Sequence, residues 1–205
     1  AHREWQAATI RERARSCEAF VDAMLSERDE IAEEITRQMG RPISQSPGEL
    51  RGFEERARRM IAIAEETLAP LHLPEKPGFE RFIERVPLGT VFTIAPWNYP
   101  FLTAVNSVVP ALMAGNVVLL KHSAQTPLVA ERFQRAFERA GLPSGVFQHV
   151  HTTHEQTARI IGTGIDYVAF TGSVAGGRAV QRAAGDRYPG SGLELGGKDP
   201  AYVRA

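Results

Sequence analysis

The chain holds one cysteine, Cys17, among its 205 residues. A single thiol excludes an internal disulfide framework and any cysteine-based zinc site. Neither sign of charge is in excess, since Lys+Arg 24 balance Asp+Glu 24. Without a global basic field, counterion release cannot drive nucleic-acid binding, so no nucleic-acid partner is expected. Lysine is scarce: Lys76, Lys121 and Lys198 are the only three, and arginine carries the remaining positive charge. No G-x-G-x-x-G is present, which removes the standard dinucleotide fingerprint. Hydrophobic residues at 43% and charged residues at 23% suit a packed globular chain of one large domain or one and a half smaller ones.

Charge is also missing locally. Val86 to Leu120 contains no charged residue and is long enough to span a bilayer. Pro87, Pro96, Pro100 and Pro110, with Asn98, Asn106 and Asn116, break it too often for a spanning helix. It reads as a buried strand, helix and strand, and no membrane partner is expected. Ala1 to Arg15 is charged and lacks the apolar core of a signal peptide, so the expected location is cytoplasmic.

Residues 1–69 have helical spacing. Ile10, Ala14, Cys17, Phe20, Val21 and Met24 form a stripe that Ile31, Ile35 and Met39 continue. Gly40 and Pro42 stop this first helix. Ser46 is the expected N-cap of a second, with Pro47 in its first turn and Glu49 closing a capping box. Residues 70–88 carry Pro70, Pro74 and Pro77-Gly78 around extended pieces, as in a hairpin arm. From Gly89 short apolar strands alternate with helices: Thr90 to Ala95, Asn116 to Lys121, Val146 to Val150, Tyr167 to Phe170, and a fifth from Leu193 to Leu195. The helices between them run from Pro100, Thr126-Pro127, His154 and Val174. That alternation predicts an α/β fold with a parallel sheet. The expected divisions are 1–69, helices packed on the sheet domain; 70–88, an arm; and 89–205, the sheet domain.

In parallel sheets ligands bind beyond the carboxyl ends of the strands. Those ends carry Trp97-Asn98, Lys121-His122-Ser123 and Phe170-Thr171-Gly172-Ser173. The last, followed by Gly176-Gly177, is a strand-to-helix turn whose N–H groups favour phosphate. It is equally a tight turn with no ligand. Gly192 to Lys198 resembles a P-loop, but Asp199 stands where Ser or Thr would bind magnesium, so triphosphate hydrolysis is rejected. His149, His151 and His154 have metal-like spacing, yet polar residues at a strand end are the better reading, and no metal is expected. Lys121 ends a buried strand, where a lysine normally snorkels out. Glu194 lies between Leu193 and Leu195, and burial there would make it a general base. A carboxylate paired with an arginine is the other reading.

Together these pieces resemble the aldehyde dehydrogenases. The matching residues are Ala95-Pro96-Trp97-Asn98-Tyr99-Pro100, Pro110 to Asn116, Leu120-Lys121, Thr126-Pro127, Gly141-Leu142-Pro143, Phe170 to Ser173 and Glu194 to Lys198, with Met39-Gly40-Arg41-Pro42 upstream. The resemblance implies a Rossmann-like cofactor sheet and a partial oligomerisation arm. It implies oxidation of an aldehyde to a carboxylic acid, with a cysteine thioester hydrolysed by water and hydride passed to NAD or NADP. Asn98 would donate to the oxyanion and Glu194 would activate water. Lys121 would contact the adenosine ribose, and Ser173 with Phe170, Thr171 and Gly172 would hold the pyrophosphate. Trp97, Ser123, Ala124, Gly177 and Leu195 would complete the cofactor site. The resemblance also implies a homo-oligomer at full length.

Two departures bear on this. The family's nucleophilic cysteine lies beyond the Glu-Leu-Gly-Gly-Lys motif, past Ala205. Cys17 cannot replace it, and its place on an apolar stripe predicts an inert buried thiol. The chain alone is therefore expected to show no turnover; the alternative role is a non-catalytic NAD(P)-binding or oligomerising piece. Further, many NAD-preferring relatives carry a glutamate three residues after the lysine, where this chain has Ala124. Loss of that charge, with Lys121 and His122 nearby, predicts a lean to NADP or dual use.

Overall fold

The structure, a computed structural model, describes residues 1–185 and 187–203. Four helices open it: α1 (His2–Ala7), α2 (Ile10–Leu25), α3 (Arg28–Met39) and α4 (Pro47–Leu68). The apolar stripe from Ile10 to Met39 is thus two helices, not one. The break falls at Ser26 and Glu27, where Glu27 turns its carboxylate to Arg132 and Arg139. A break tied to a distant contact leaves no trace in apolar spacing. Gly40 ends α3 at φ 77°, a left-handed conformation open to glycine.

The capping box expected at α4 does not form. Ser46 makes no cap bond, and its hydroxyl lies 2.9 Å from the Thr36 hydroxyl. Glu49 is drawn to a different helix, described below.

A two-stranded antiparallel hairpin follows, β1 (Leu71–His72) with β2 (Phe82–Ile83). Then come β3 (Thr90–Ala95), α5 (Pro100–Met113), β4 (Val117–His122), α6 (Leu128–Arg139), β5 (Phe147–His149), α7 (His154–Gly164), β6 (Tyr167–Gly172), α8 (Val174–Ala184) and β7 (Gly190–Leu195). The strand order is β5-β4-β3-β6-β7 and every pairing is parallel. The expected α/β fold is present. The chain builds outward from β3 to β5, then returns to place β6 on the other side of β3. The chain leaves β3 into α5 on one face and leaves β6 into α8 on the other, so the β3–β6 pair is the topological switch point, beyond whose carboxyl ends sheets of this kind bind ligands.

Each face of the sheet has its own core. One joins the sheet to α2, α4, α5 and α6; the other packs Phe92, Ile94 and Val168 against α7 and α8. In the first, Phe20 stacks on Phe137 at 3.7 Å, Phe53 lies edge-on to Phe101 at 6.4 Å, and Phe101 lies 5.9 Å from Phe133. Phe101 is in the first turn of α5, so this aromatic chain anchors the segment that carries Asn98. Arg132 ties α6 to α3: it donates to Glu34 at 2.5 and 3.0 Å and to Glu30 at 3.2 Å, and also pairs with Glu27.

Cys17 is fully buried, and desolvation pushes its thiol up to about 12. At neutral pH it is protonated and unreactive, as its place on the stripe predicts. Among the described residues no helix is long and apolar enough to cross a membrane.

Candidate cofactor and catalytic site

Register assigns the strand-end residues to the two faces. Ile94 pairs with Lys121 on one side and Phe170 on the other, and Phe170 pairs with Leu193. Lys121 and Phe170 thus share the face covered by α7 and α8. The next residues along, His122 beside Ala95 and Glu194 beside Thr171, lie on the opposite face, with α5.

Lys121 is buried at 7% exposure and forms no ion pair among the described residues. Burial lowers the pKa of its ammonium from the ordinary lysine value. A desolvated cation without a carboxylate is costly and fits a site awaiting an anionic or hydroxyl-rich partner. Ala124 is exposed and Ser123 half-buried, and the Ser123 hydroxyl accepts from the Gln125 amide.

His122 is not available beside Lys121, which corrects one expectation. It lies buried on the other face, with Nε2 3.0 Å from the Pro100 carbonyl and Nδ1 3.2 Å from the Thr126 hydroxyl. Strand alternation, which separates adjacent residues, is the cause. Burial, only partly offset by the hydrogen bond to the Pro100 carbonyl and aided by the nearby Lys121 ammonium, pushes its pKa down to about 4. Unfolded, it would titrate near 6.5, so between roughly pH 6.5 and 4 the unfolded chain binds the extra proton. Stability contributed by neutral His122 is full above that window and falls through it, by at most about 3 kcal/mol. Urea melts from pH 7 to 4 should show the loss, and His122→Gln should flatten it. An unchanged slope in the variant contradicts this assignment.

The turn from β6 into α8 is capped by Ser173, whose hydroxyl accepts from the Gly176 amide at 3.1 Å. The Val174 and Ala175 amides have no protein acceptor among the described residues, so the helix start is open to an anion. The glycines here have a packing reason. A Cβ at Gly172 or Gly176 would come within 2.7 or 2.6 Å of the Phe170 ring, and one at buried Gly177 within 2.6 Å of Leu195. Their space is taken by side chains rather than left for a ligand's approach.

Trp97 and Asn98 are exposed in the turn after β3, and the Asn98 side-chain amide makes no hydrogen bond to the described residues. Glu194 is exposed as well, contrary to the burial its leucine neighbours suggest. β7 is the edge strand of the sheet and Leu195 is itself 41% exposed, so these leucines do not enclose the carboxylate. No arginine pairs with Glu194 among the described residues.

The histidine trio does not converge. The His149 and His151 rings lie 5.2 Å apart, His151 Nε2 is 3.1 Å from Glu131, and His154 starts α7. Among the described residues no group of three or more His, Cys, Asp or Glu is placed to hold a metal.

Two residues border the Asn98 turn where spacing alone gave Glu49 a cap for its own helix and Arg41 no part in the site. Glu49 is buried and accepts from the Phe101 and Leu102 amides at 3.0 and 3.1 Å, capping α5 from another helix. Arg41 pairs with Glu49, donates to the Asn98 carbonyl at 2.6 Å, and lies 4.7 Å from the Tyr99 ring centroid. The sequence held one signal: Glu49 is four residues before Phe53 on the apolar stripe, where an unpaired carboxylate is not tolerated.

Comparison with known proteins decides the kinship. The profile described as "Aldehyde dehydrogenase family" matches residues 1–205. This chain belongs to the aldehyde dehydrogenase family. A protein of Paenarthrobacter nicotinovorans named aldehyde dehydrogenase is 36% identical over 99% of the chain. The chain spans 45% of that relative's length. The succinic semialdehyde dehydrogenase of Streptococcus pyogenes, solved with NADP+, superposes at TM-score 0.90 with 26% identity, covering 97% of this chain and 44% of that one. PnpE, solved with nicotinamide adenine dinucleotide, does so at TM-score 0.91 with 30% identity, covering 97% and 41%. The likeness to aldehyde dehydrogenases thus runs through the helices, the hairpin and the sheet alike.

Proposed function

We propose that the full-length protein oxidises a small-molecule aldehyde to a carboxylic acid with NADP or NAD, and that this chain contributes the cofactor site, the oxyanion donor and the water-activating base. One observation carries the reading: Asn98, Lys121 and the Ser173-capped start of α8 all lie at strand carboxyl ends around the β3–β6 switch point.

The residues present fit a nicotinamide dinucleotide. The ion-pair-free Lys121 and exposed Ala124 suit an adenosine ribose or its 2′-phosphate, with Ser123 beside them. The open α8 amides, with Ser173 and the backbone of Phe170, Thr171 and Gly172, suit the pyrophosphate; exposed Trp97 and Leu195 would flank it, while Gly177, buried against Leu195, would serve by letting α8 pack closely there. When bound, the cofactor supplies a hydride acceptor. Asn98 would donate its amide to the oxygen on which negative charge develops, a role worth about 10²–10³ in rate. Glu194 would take the proton of the water that releases the acid. Cys17 supplies no nucleophile, so the 205 residues alone would bind without turnover.

The protein is read as a cytoplasmic homo-oligomer, with residues 70–88 as part of the assembling arm, 1–69 as a helical layer and 89–205 as the cofactor domain. The exposed Leu71, Phe79, Phe82 and Ile83 support that arm.

The lean to NADP rests on Lys121 without a neighbouring carboxylate at position 124. Titrations with NADPH and NADH should give equal or tighter NADPH binding. Lys121→Met should weaken NADPH by about 10- to 100-fold, the loss of one charge-assisted hydrogen bond. Clearly tighter NADH binding, or an unaffected Lys121→Met variant, contradicts it.

A further inference from the structure

We infer that Arg41 and Glu49 form a positioning couple that sets where Asn98 presents its amide. The inference rests on the reading of Asn98 as oxyanion donor. Asn98 sits in an exposed turn between β3 and α5, and its own side chain makes no hydrogen bond to the described residues. Something else must hold it, because an oxyanion donor helps only when it is already in place as charge develops.

The couple grips this turn from both sides. On the helix side, the Glu49 carboxylate accepts from the Phe101 and Leu102 amides, so a buried charge from α4 fixes the first turn of α5. A carboxylate at a helix start is favoured by the partial positive charge there. On the strand side, Arg41 donates to the Asn98 carbonyl at 2.6 Å and lies over the Tyr99 ring. The ion pair joins the two grips, with Arg41 12% and Glu49 0% exposed at the side chain. Arg41 lies just after the Gly40 stop and Glu49 in the first turn of α4, so one loop presents both groups.

Charge explains why both residues are needed. Buried Glu49 without Arg41 would be an unpaired anion, and Arg41 without Glu49 would lose the anchor that aims its guanidinium at the Asn98 carbonyl. The guanidinium fork serves the carboxylate and the carbonyl together; an ammonium offers no such fork. Arg41→Lys should therefore keep the ion pair but loosen Asn98.

The test uses the natural full-length protein and reads pre-steady-state formation of reduced cofactor. Four proteins are compared: wild type, Asn98→Ala, Arg41→Met and the double variant. Arg41→Met is expected to slow hydride formation about 10- to 100-fold, since a displacement of 1 Å costs about 10²-fold. The dissociation constant for NADP+ should stay unchanged, because the couple touches no cofactor-binding residue. In the Asn98→Ala background, Arg41→Met should add no further loss, since Arg41 acts through Asn98.

The outcomes separate the two claims. If Asn98→Ala leaves the rate intact, the oxyanion reading fails. If Asn98→Ala is slow but Arg41→Met is not, or if the two losses multiply, the positioning inference alone fails. Arg41→Lys, which preserves the ion pair, serves if Arg41→Met does not fold. It is expected to slow hydride formation by a smaller factor with the same unchanged cofactor affinity, and a wild-type rate would overturn the inference.

Discussion

Glu194→Gln in the full-length protein is expected to lower steady-state turnover about 10²- to 10⁴-fold, the usual contribution of a positioned base. Glutamine keeps the volume and the hydrogen-bonding oxygen but has no basicity. Glu194 pairs in register with Thr171 and lies on the α5 face of the sheet, the side from which Asn98 enters α5. A base there would act on water attacking the acyl group, after hydride has already moved. The variant should therefore still give one rapid turnover of reduced cofactor per site and then stall. A wild-type steady-state rate contradicts the assignment. A lost first turnover would instead place Glu194 before hydride transfer.

Arg132→Leu is expected to destabilise the fold by about 3–5 kcal/mol, the typical cost of removing one partner from a buried ion pair. Arg132 is 5% exposed at the side chain and meets Glu27, Glu30 and Glu34. The carboxylates of Glu27 and Glu34 are themselves mostly buried, so the deletion leaves Glu34 without a counterion and Glu27 with only the half-exposed Arg139. Guanidinium-chloride melts would measure the loss. Replacing Glu27 and Glu34 with leucine alongside Arg132 should recover much of it, because apolar groups carry no desolvation cost. A loss below about 1 kcal/mol for Arg132→Leu would mean that the cluster behaves as an exposed pair.

The strands were legible because each is a short apolar run between turn residues; observed ends fall within three residues of those expected. Thr90 to Ala95 matches outright, and α8 starts at the expected Val174. Local signals do not carry distant partners. The α2–α3 break depends on Glu27 meeting Arg132, more than a hundred residues away. Glu49 looked like a cap for its own helix, and instead caps α5. The burial expected around Glu194 and the place expected for His122 beside Lys121 fail for a related reason. A sequence gives spacing along a strand, but which face is covered and which strand is at the edge follow from the sheet order.

Titration of NADPH followed by Trp97 fluorescence tests the cofactor site most directly. Trp5 is buried at 4% exposure and Trp97 is 45% exposed in the turn after β3, so only Trp97 faces the proposed site. A Trp5→Phe background would isolate its signal. Saturable quenching is expected, and Ser173→Asp should weaken it strongly, because an added negative charge would face the pyrophosphate at the start of α8. No saturable quenching, or quenching indifferent to Ser173→Asp, would contradict a cofactor site at the β3–β6 switch point.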